Sequence, residues 1–267
     1  NMSELFSLVV PLFPLPEQKR IAAKLDEQMA TLASAQAALA AQREAATALR
    51  SAVLRTALDP TTRPAWPTTE LRSLVTFANG LWTGKQPPFR QVKVIRNTNF
   101  TKECALDLSD VALLDVEEKQ LSSRRLLPGD IILERSGGGP TQPVGRVALF
   151  ELHDDVYSFS NFTSVMRALP NGSVLPRFLW YYLYYSYRSG ATESLQNRTS
   201  GIRNLAFDDY AGLQIPVPAF VAQRQITKQL DDSMKQIDAV TASLDSQVAT
   251  LDSLRASLLD AAFGRKV

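Results

Sequence analysis

The chain has little of the chemistry that marks many enzymes and secreted proteins. Its 267 residues include one cysteine, Cys104, and one histidine, His153. A single cysteine cannot form an internal disulfide, so we expect a reducing, cytoplasmic setting. One histidine leaves no His/Cys metal cluster and no Ser/His/Asp arrangement. No apolar run approaches the roughly 18 residues of a membrane span. The net charge of +2 is too small to indicate a nucleic-acid binder by itself.

A stretch of about forty residues near the start of the chain recurs near its end at a constant offset of 205. The matched pairs include Gln18 and Gln223, Leu25 and Leu230, Asp26 and Asp231, Leu39 and Leu244, and Arg50 and Arg255. Neither copy contains glycine or proline over 17–59 or 219–263. Because these residues are the strongest helix breakers, the repeats predict two long helices.

Apolar residues recur every seven positions in both repeats, as in a coiled-coil seam. The predicted coiled-coil interface comprises Leu25, Leu32, Leu39, Gln42, Leu49, Leu230, Ile237, Leu244, Gln247, Leu251 and Leu254. Gln42 and Gln247 occupy the same position in the two copies. A buried polar residue there would fix the register of the helices, whereas the alternative is a solvated stretch. The period leaves open whether the helices pair within one chain or between two.

The residues between the repeats have a different pattern. A linker rich in proline and threonine, 61–69, closes the first helix. Short β-like runs follow at 92–96, 130–135, 145–150 and 162–169. The segment 176–188 predicts one helix, and its many aromatic residues are more typical of a core than of a base-stacking platform. The predicted segments are a lead-in (1–16), helix one (17–59), a compact α/β domain (60–216) and helix two (217–267), an α+β chain overall.

Three segments of the inserted domain carry basic and amide side chains without acids: 85–102, 135–146 and 196–204. Arginine, asparagine and glutamine can make paired hydrogen bonds to base edges. The predicted phosphate contacts are Lys85, Arg90, Lys93, Lys102 and Arg188. The predicted base readers are Arg96, Asn97, Asn99, Gln142, Arg198 and Asn204, and Arg135, Arg146 and Arg203 complete the DNA-binding set. Any single segment would equally suit a solvated polar turn.

Some motifs only look catalytic. The sequence QPPF at 86–89 resembles the NPPF/Y motif of adenine methyltransferases, but Gln86 replaces the asparagine. Asp130 and Glu134 are spaced somewhat like the acidic pair of a nuclease, although alternation along a strand explains them better. The glycine-rich run at 136–145 lacks the GK[ST] ending of a nucleotide-binding loop. We therefore expect no catalytic and no metal site in this chain.

The segments in their order resemble a known family. PLPEQKRIAAKLDE at 14–27 is similar to the start of the conserved helices of type I restriction–modification specificity subunits. LLPGDIILERSGG at 126–138, followed by VGRVALF at 144–150, resembles part of their target recognition domains. Residues 202–226 resemble the segment that closes such a domain and leads into its helix. The resemblance covers nearly the whole chain.

The resemblance implies an antiparallel coiled coil of two conserved helices, and a target recognition domain that reads one half of a split site in double-stranded DNA. It implies partner methyltransferase (modification) subunits and, through them, restriction subunits. Methylation and cleavage would reside in those partners, together with S-adenosylmethionine, Mg and ATP, so that this chain binds no cofactor and is not itself an enzyme.

The chain departs from the family pattern because it has one recognition domain instead of two. It resembles either the C-terminal half of a longer subunit or a half-size subunit that forms a homodimer. The segment 1–16 reads like the tail of an earlier recognition domain, and the start at Asn1 leads us to expect the first. Two rivals remain: a coiled-coil scaffold whose insert binds another protein, and a divergent adenine methyltransferase using QPPF.

Overall fold

The computed structural model describes residues 13–62, 66–82, 84, 86–139, 142–170, 172–199 and 202–263. The chain divides into two compact units. The helix-pair unit comprises residues 1–50 and 233–267, and the sheet unit comprises residues 51–232. The sheet unit is thus wider than the predicted domain at 60–216, because it takes in the end of the first helix and the start of the second.

Both long helices and the mixed insert are present. The helices are α1 (Leu15–Leu58), α2 (Glu118–Arg124), α3 (Pro176–Arg188), α4 (Phe207–Ala211) and α5 (Phe220–Phe263). The strands are β1 (Thr68–Glu70), β2 (Val75–Asn79), β3 (Phe89–Ile95), β4 (Ala112–Glu117), β5 (Ile131–Glu134), β6 (Ser136–Gly138), β7 (Val147–Leu149), β8 (Tyr157–Phe159), β9 (Thr163–Ala168), β10 (Gln196–Thr199), β11 (Ile202–Leu205) and β12 (Gln214–Pro216). The four predicted strand runs correspond to β3, β5, β7 and β9.

In the helix-pair unit, α1 and α5 run antiparallel. Gln36 donates to Asp252 at 3.2 Å, Arg43 pairs with Asp245 at 2.7 Å, and Arg50 pairs with Asp238 at 2.5 Å. Each step of seven residues forward along α1 is therefore matched by seven residues backward along α5. This pattern confirms the predicted antiparallel coiled coil, formed here within one chain.

The coiled-coil prediction named two seam positions per heptad; the first is right and the second is wrong. The heptad residues Leu32, Leu39, Ile237 and Leu244 are buried, as is Leu230, while Leu25 and Leu251 are half-buried. The other predicted members, Gln42, Leu49, Gln247 and Leu254, are exposed. Four residues after the heptad residues, Met234 is buried and Gln36, Thr241 and Val248 are half-buried, whereas Arg43 and Arg255 are exposed. A coiled coil alternates steps of three and four, and a leucine heptad alone does not say which comes first.

The sheet unit contains several small sheets. One is antiparallel with the order β2–β9–β5–β7, and a second has the order β4–β3–β8, in which β3 and β8 are parallel. A third sheet has the order β10–β11–β6, and β1 pairs with β12. Strand β5 is buried throughout, and its first three residues are apolar. Its Ile132 packs with Ile95, Phe150 and Val165 in the core.

Helix α3 has the predicted bounds and begins with Pro176, which is favourable in the first turn of a helix. Most of its aromatic residues are buried, among them Phe178, Tyr181 and Tyr184. The Tyr181 hydroxyl donates to Asp231 at 2.7 Å, so the ring is buried while its polar end keeps a partner. The prediction of a core helix is confirmed.

Candidate nucleic-acid interface

Two of the three basic segments form one sheet. Strand β6 belongs to the segment 135–146, and β10 and β11 span the segment 196–204. Asn204 pairs with Ser136 and Arg203 with Gly138. The Ser136 hydroxyl donates to the Asn204 side-chain oxygen at 2.5 Å. Segments about sixty residues apart are thus held side by side.

The remaining basic segment meets this sheet at Gly137. The backbone of Gly137 has φ +97°, and a Cβ placed on it would lie 2.5 Å from Nδ2 of Asn97. The amide groups of Arg135 and Ser136 both donate to the carbonyl of Phe162, at 2.9 and 3.2 Å. Since all three predicted segments converge here, we call Arg96, Asn97, Gly137, Phe162 and Arg203 the Gly137 surface.

A cleft of about 540 Å³ adjoins this surface, lined in part by Trp82, Arg96, Asn97, Asn161 and Phe162. Trp82 is 66% exposed and Phe162 is 45% exposed. Sequence reasoning assigned no role to these two aromatic residues. No sequence signal singles them out, because Phe162 falls within a predicted β-like run and isolated exposed apolar residues are common on protein surfaces.

Arg96 is the most available cation of the surface. Its guanidinium lies 3.7 Å from the carboxylate of Asp110, whose side chain is 93% exposed. Such a pair contributes little, because the Asp110 carboxylate is almost fully solvated. The backbone of Arg96 is nevertheless fixed, since its amide donates to Asn99 Oδ1 at 2.9 Å. A held backbone with a weakly engaged guanidinium suits an arginine that meets a ligand.

Two predicted DNA contacts are buried and were wrong. Asn99 is 2% exposed, and its side-chain amide donates to the carbonyls of Asp107 and Asp110 at 3.0 Å each. Arg146 is 5% exposed and makes two hydrogen bonds to Glu134, at 2.9 and 2.7 Å. Both residue types suit DNA contacts in a loop, but here they hold the loops together from inside.

The other predicted contacts fall into three groups. Arg90 and Lys102 are exposed. Asn204, Gln142, Lys93, Arg135 and Arg188 are half-buried and contact other side chains, namely Ser136, Arg146, Asp155, Asn79 and Ser51 respectively. Lys85 and the side chain of Arg198 lie outside the described residues, although the backbone of Arg198 pairs with Arg203.

The surroundings of Lys93 and Arg135 shift the pKa values of these residues. The hydrogen bond between Lys93 and Asp155 raises the pKa of Lys93 and lowers the pKa of Asp155. Partial burial lowers the pKa of Arg135, whose guanidinium also lies 4.3 Å from the Phe207 ring centre. Lys93 and Arg135 are therefore engaged within the domain, whereas Arg90 and Lys102 are better placed to meet phosphates.

Asp130 and Glu134, the two acids spaced like a nuclease pair, belong to separate ion pairs. Asp130 binds Arg167 through two 2.7 Å hydrogen bonds, and Glu134 binds Arg146. Within the described ranges, no group of three His, Cys, Asp or Glu residues is arranged to hold a metal ion. In the QPPF segment, Gln86 is exposed, and its backbone N–H donates to the Glu117 carboxylate at 2.6 Å. None of the described helices is long and apolar enough to cross a membrane.

A small mixed-sheet domain lies, in sequence, between two helices that form an antiparallel pair. The model of the type I restriction modification DNA specificity domain matches residues 66–248. The chain belongs to this family.

Related proteins agree with this assignment. The chain is similar to the specificity subunit of the type I restriction enzyme StySPI from Salmonella potsdam, with 24% identity over 278 residues covering 97% of this chain and 58% of that protein. A chain from a structural study of assembly and conformational transition in the type I R-M system has the same fold, with TM-score 0.72, 20% identity, and coverage of 95% and 60%. The HsdS subunit from Thermoanaerobacter tengcongensis aligns with TM-score 0.53 and 20% identity over 97% of this chain and 60% of that one. The chain therefore spans about three-fifths of the length of these relatives.

Proposed function

We propose that this chain reads a site, or one half of a split site, in double-stranded DNA for a type I restriction–modification system. It directs methyltransferase subunits and, through them, restriction subunits to that site. The observation that carries the proposal is the convergence of three basic, amide-rich segments at the Gly137 surface. The chain itself is non-catalytic, and S-adenosylmethionine, Mg and ATP are bound by the partner subunits in the cytoplasm.

In this proposal, some side chains read the base sequence and others contribute affinity by contacting phosphates. Arg96 and Asn97 border the cleft and carry the donors that pair with guanine and adenine edges. Exposed Arg90 and Lys102 meet phosphates, which position the protein without reading sequence. Gly137, which has no side chain, lets the Asn97 amide pack directly against its backbone and so positions Asn97. Trp82 and Phe162 supply apolar contact beside the bases.

The helix-pair unit is the docking element for methyltransferase subunits in this proposal. Several of its large apolar side chains are exposed: Leu49, Val240, Leu254, Leu259 and Phe263 are between 41% and 55% exposed. One recognition domain reads one half-site. A second domain, from the same longer subunit or from a second copy of this chain, completes the split site.

One observation favours a second candidate, a scaffold whose insert binds another protein. Phe89, Leu113 and Leu114, on strands β3 and β4, are 46%, 55% and 46% exposed. Exposed apolar side chains on paired strands are available for contact with another protein. This candidate predicts no preference among DNA sequences and no steep dependence of DNA binding on salt.

Selection from random-sequence duplexes distinguishes the two candidates. The chain is purified together with a type I modification subunit, and the bound duplexes are sequenced after successive rounds. We expect one defined motif to be enriched, with an affinity that falls steeply as salt rises because several phosphates are neutralised. Retention of duplexes without any enriched motif, or no retention at all, would favour the scaffold.

A further inference from the structure

Arg146 is the centre of a buried network that joins two recognition segments. Besides its two bonds to Glu134, its guanidinium donates to the carbonyl of Phe100 at 2.6 Å and to the carbonyl of Asn97 at 3.1 Å. With the Gln142 amide oriented to suit its neighbours, its oxygen accepts from Arg146 at 2.6 Å. One side chain thus contacts the segment 85–102 and the segment 135–146 together.

The geometry of this network is tightly specified. Glu134 and the Arg146 side chain are 0% and 6% exposed, so water cannot replace a lost partner. The backbones also pair, because the amide of Glu134 donates to the carbonyl of Arg146 at 2.9 Å. Burial lowers the pKa of Arg146, but the hydrogen bonds and charge of Glu134 outweigh that effect and leave the pKa raised. The guanidinium therefore remains charged and held by its planar fork.

A second ion pair flanks the same strand but contacts different segments. Asp130 precedes β5 and binds Arg167, as Glu134 at the other end of β5 binds Arg146. Arg167 also donates to the carbonyl of Arg125, at 3.2 Å. Its contacts therefore lie in the turn before β5 and do not include a residue of the Gly137 surface. Both are arginine–carboxylate pairs at the ends of β5, but only the Glu134–Arg146 pair contacts a residue of the Gly137 surface.

We propose that Glu134 and Arg146 are the positioning pair of DNA recognition: without touching DNA, they hold the Asn97 backbone in register with the 135–146 segment. The proposal rests on the proposed function. Its physical basis is that Asn97 receives a hydrogen bond from Arg146 on one side and has Gly137 against its amide on the other. Loosening this link lets Asn97 and Gly137 move independently, which weakens sequence reading while leaving the exposed phosphate contacts in place.

The test replaces each arginine by lysine. Arg146→Lys keeps the charge but loses the planar fork and most of its hydrogen bonds. Arg167→Lys makes the same change in the pair that holds no recognition residue. Both variants, with their modification subunit, are put through the random-duplex selection at a temperature well below either melting temperature. We expect enrichment of the wild-type motif to fall at least about tenfold for Arg146→Lys and to stay within about twofold for Arg167→Lys.

Two further readouts separate positioning from general loss of structure. Affinity for a duplex lacking the motif, and the slope of that affinity against salt, should change little in Arg146→Lys because Arg90 and Lys102 are untouched. Equal losses of enrichment in both variants would overturn the proposal, as would an unchanged motif in Arg146→Lys. If Arg146→Lys does not fold, Glu134→Gln replaces it, with Asp130→Asn as its control and the same expectations.

The wild-type result keeps the two hypotheses distinguishable. If the wild-type complex enriches no motif, the proposed function fails before any variant is compared. If it enriches a motif that Arg146→Lys and Glu134→Gln both retain, the proposed function stands and the positioning pair is wrong.

Discussion

The helix-pair unit and the sheet unit use charged side chains in opposite ways. Between α1 and α5, Arg43 and Asp245 are 50% and 51% exposed and lie at the margin of an apolar seam. In the sheet unit, Asp130 and Glu134 are 1% and 0% exposed and lie at the two ends of a buried strand. The marginal charges add to a contact that apolar side chains already make. The buried charges join segments that lie far apart in the sequence.

The largest expected effect is on stability, from Glu134→Ala. The substitution leaves Arg146 buried without its carboxylate, so we expect a loss of about 3–5 kcal/mol in the free energy of unfolding. Asp130→Ala should cost less, because Arg167 is 44% exposed and can reach water. Denaturant unfolding monitored by circular dichroism measures both. An equal cost for the two variants would contradict the importance of burial.

A smaller but more specific effect is expected at Gly137. Alanine there must adopt φ +97° and meets Asn97 at 2.5 Å, so we expect a loss of about 1–2 kcal/mol in stability together with weaker binding to the selected motif. Gly139→Ala is the matched control, because nothing lies within 4 Å of its added Cβ. Equilibrium binding of both variants to the same duplex makes the comparison. Similar affinities for the two would remove Gly137 from the interface.

Arg96→Ala separates base reading from phosphate contact. If Arg96 reads a base, we expect a loss of about 1–3 kcal/mol in binding to the motif and a much smaller loss on a duplex that lacks it. Stability should change little, because the partner of Arg96 is the exposed Asp110. The same loss on both duplexes would reassign Arg96 to a phosphate.

The smallest effect is expected in the helix-pair unit. Arg43→Ala removes an exposed ion pair, so we expect a change under about 1 kcal/mol that disappears at high salt. Arg50→Ala should cost more, because the Arg50 side chain is 9% exposed and its guanidinium contacts the Met234 sulfur at 3.6 Å. Thermal unfolding at low and high salt tests the ranking. A large, salt-independent loss of stability in Arg43→Ala would contradict the claim that the exposed ion pairs of the helix-pair unit contribute little.

The same contrast explains what the sequence could predict. Helices α1, α3 and α5 depend on local propensity and periodicity, so their bounds were predicted to within a few residues. The seam phase was missed, because leucines every seven residues do not show whether the next contact follows after three or four. Arg146 was misassigned because it also binds the carbonyls of Asn97 and Phe100, which lie 49 and 46 residues earlier in the chain. Asn99 was misassigned because it closes a loop onto Asp107 and Asp110, and no periodicity in the sequence marks such a contact. The exposure of Trp82 and Phe162 likewise depends on tertiary packing.

Exchange of the recognition domain tests the central claim most directly. Residues 66–212 are replaced by the corresponding domain of another type I specificity subunit, and methylated adenines are mapped in cells that carry either chain with the same modification subunit. We predict that the methylated motif follows the domain, changing in the half of the site that this domain reads. A motif that stays the same after the exchange would contradict DNA recognition by the sheet unit.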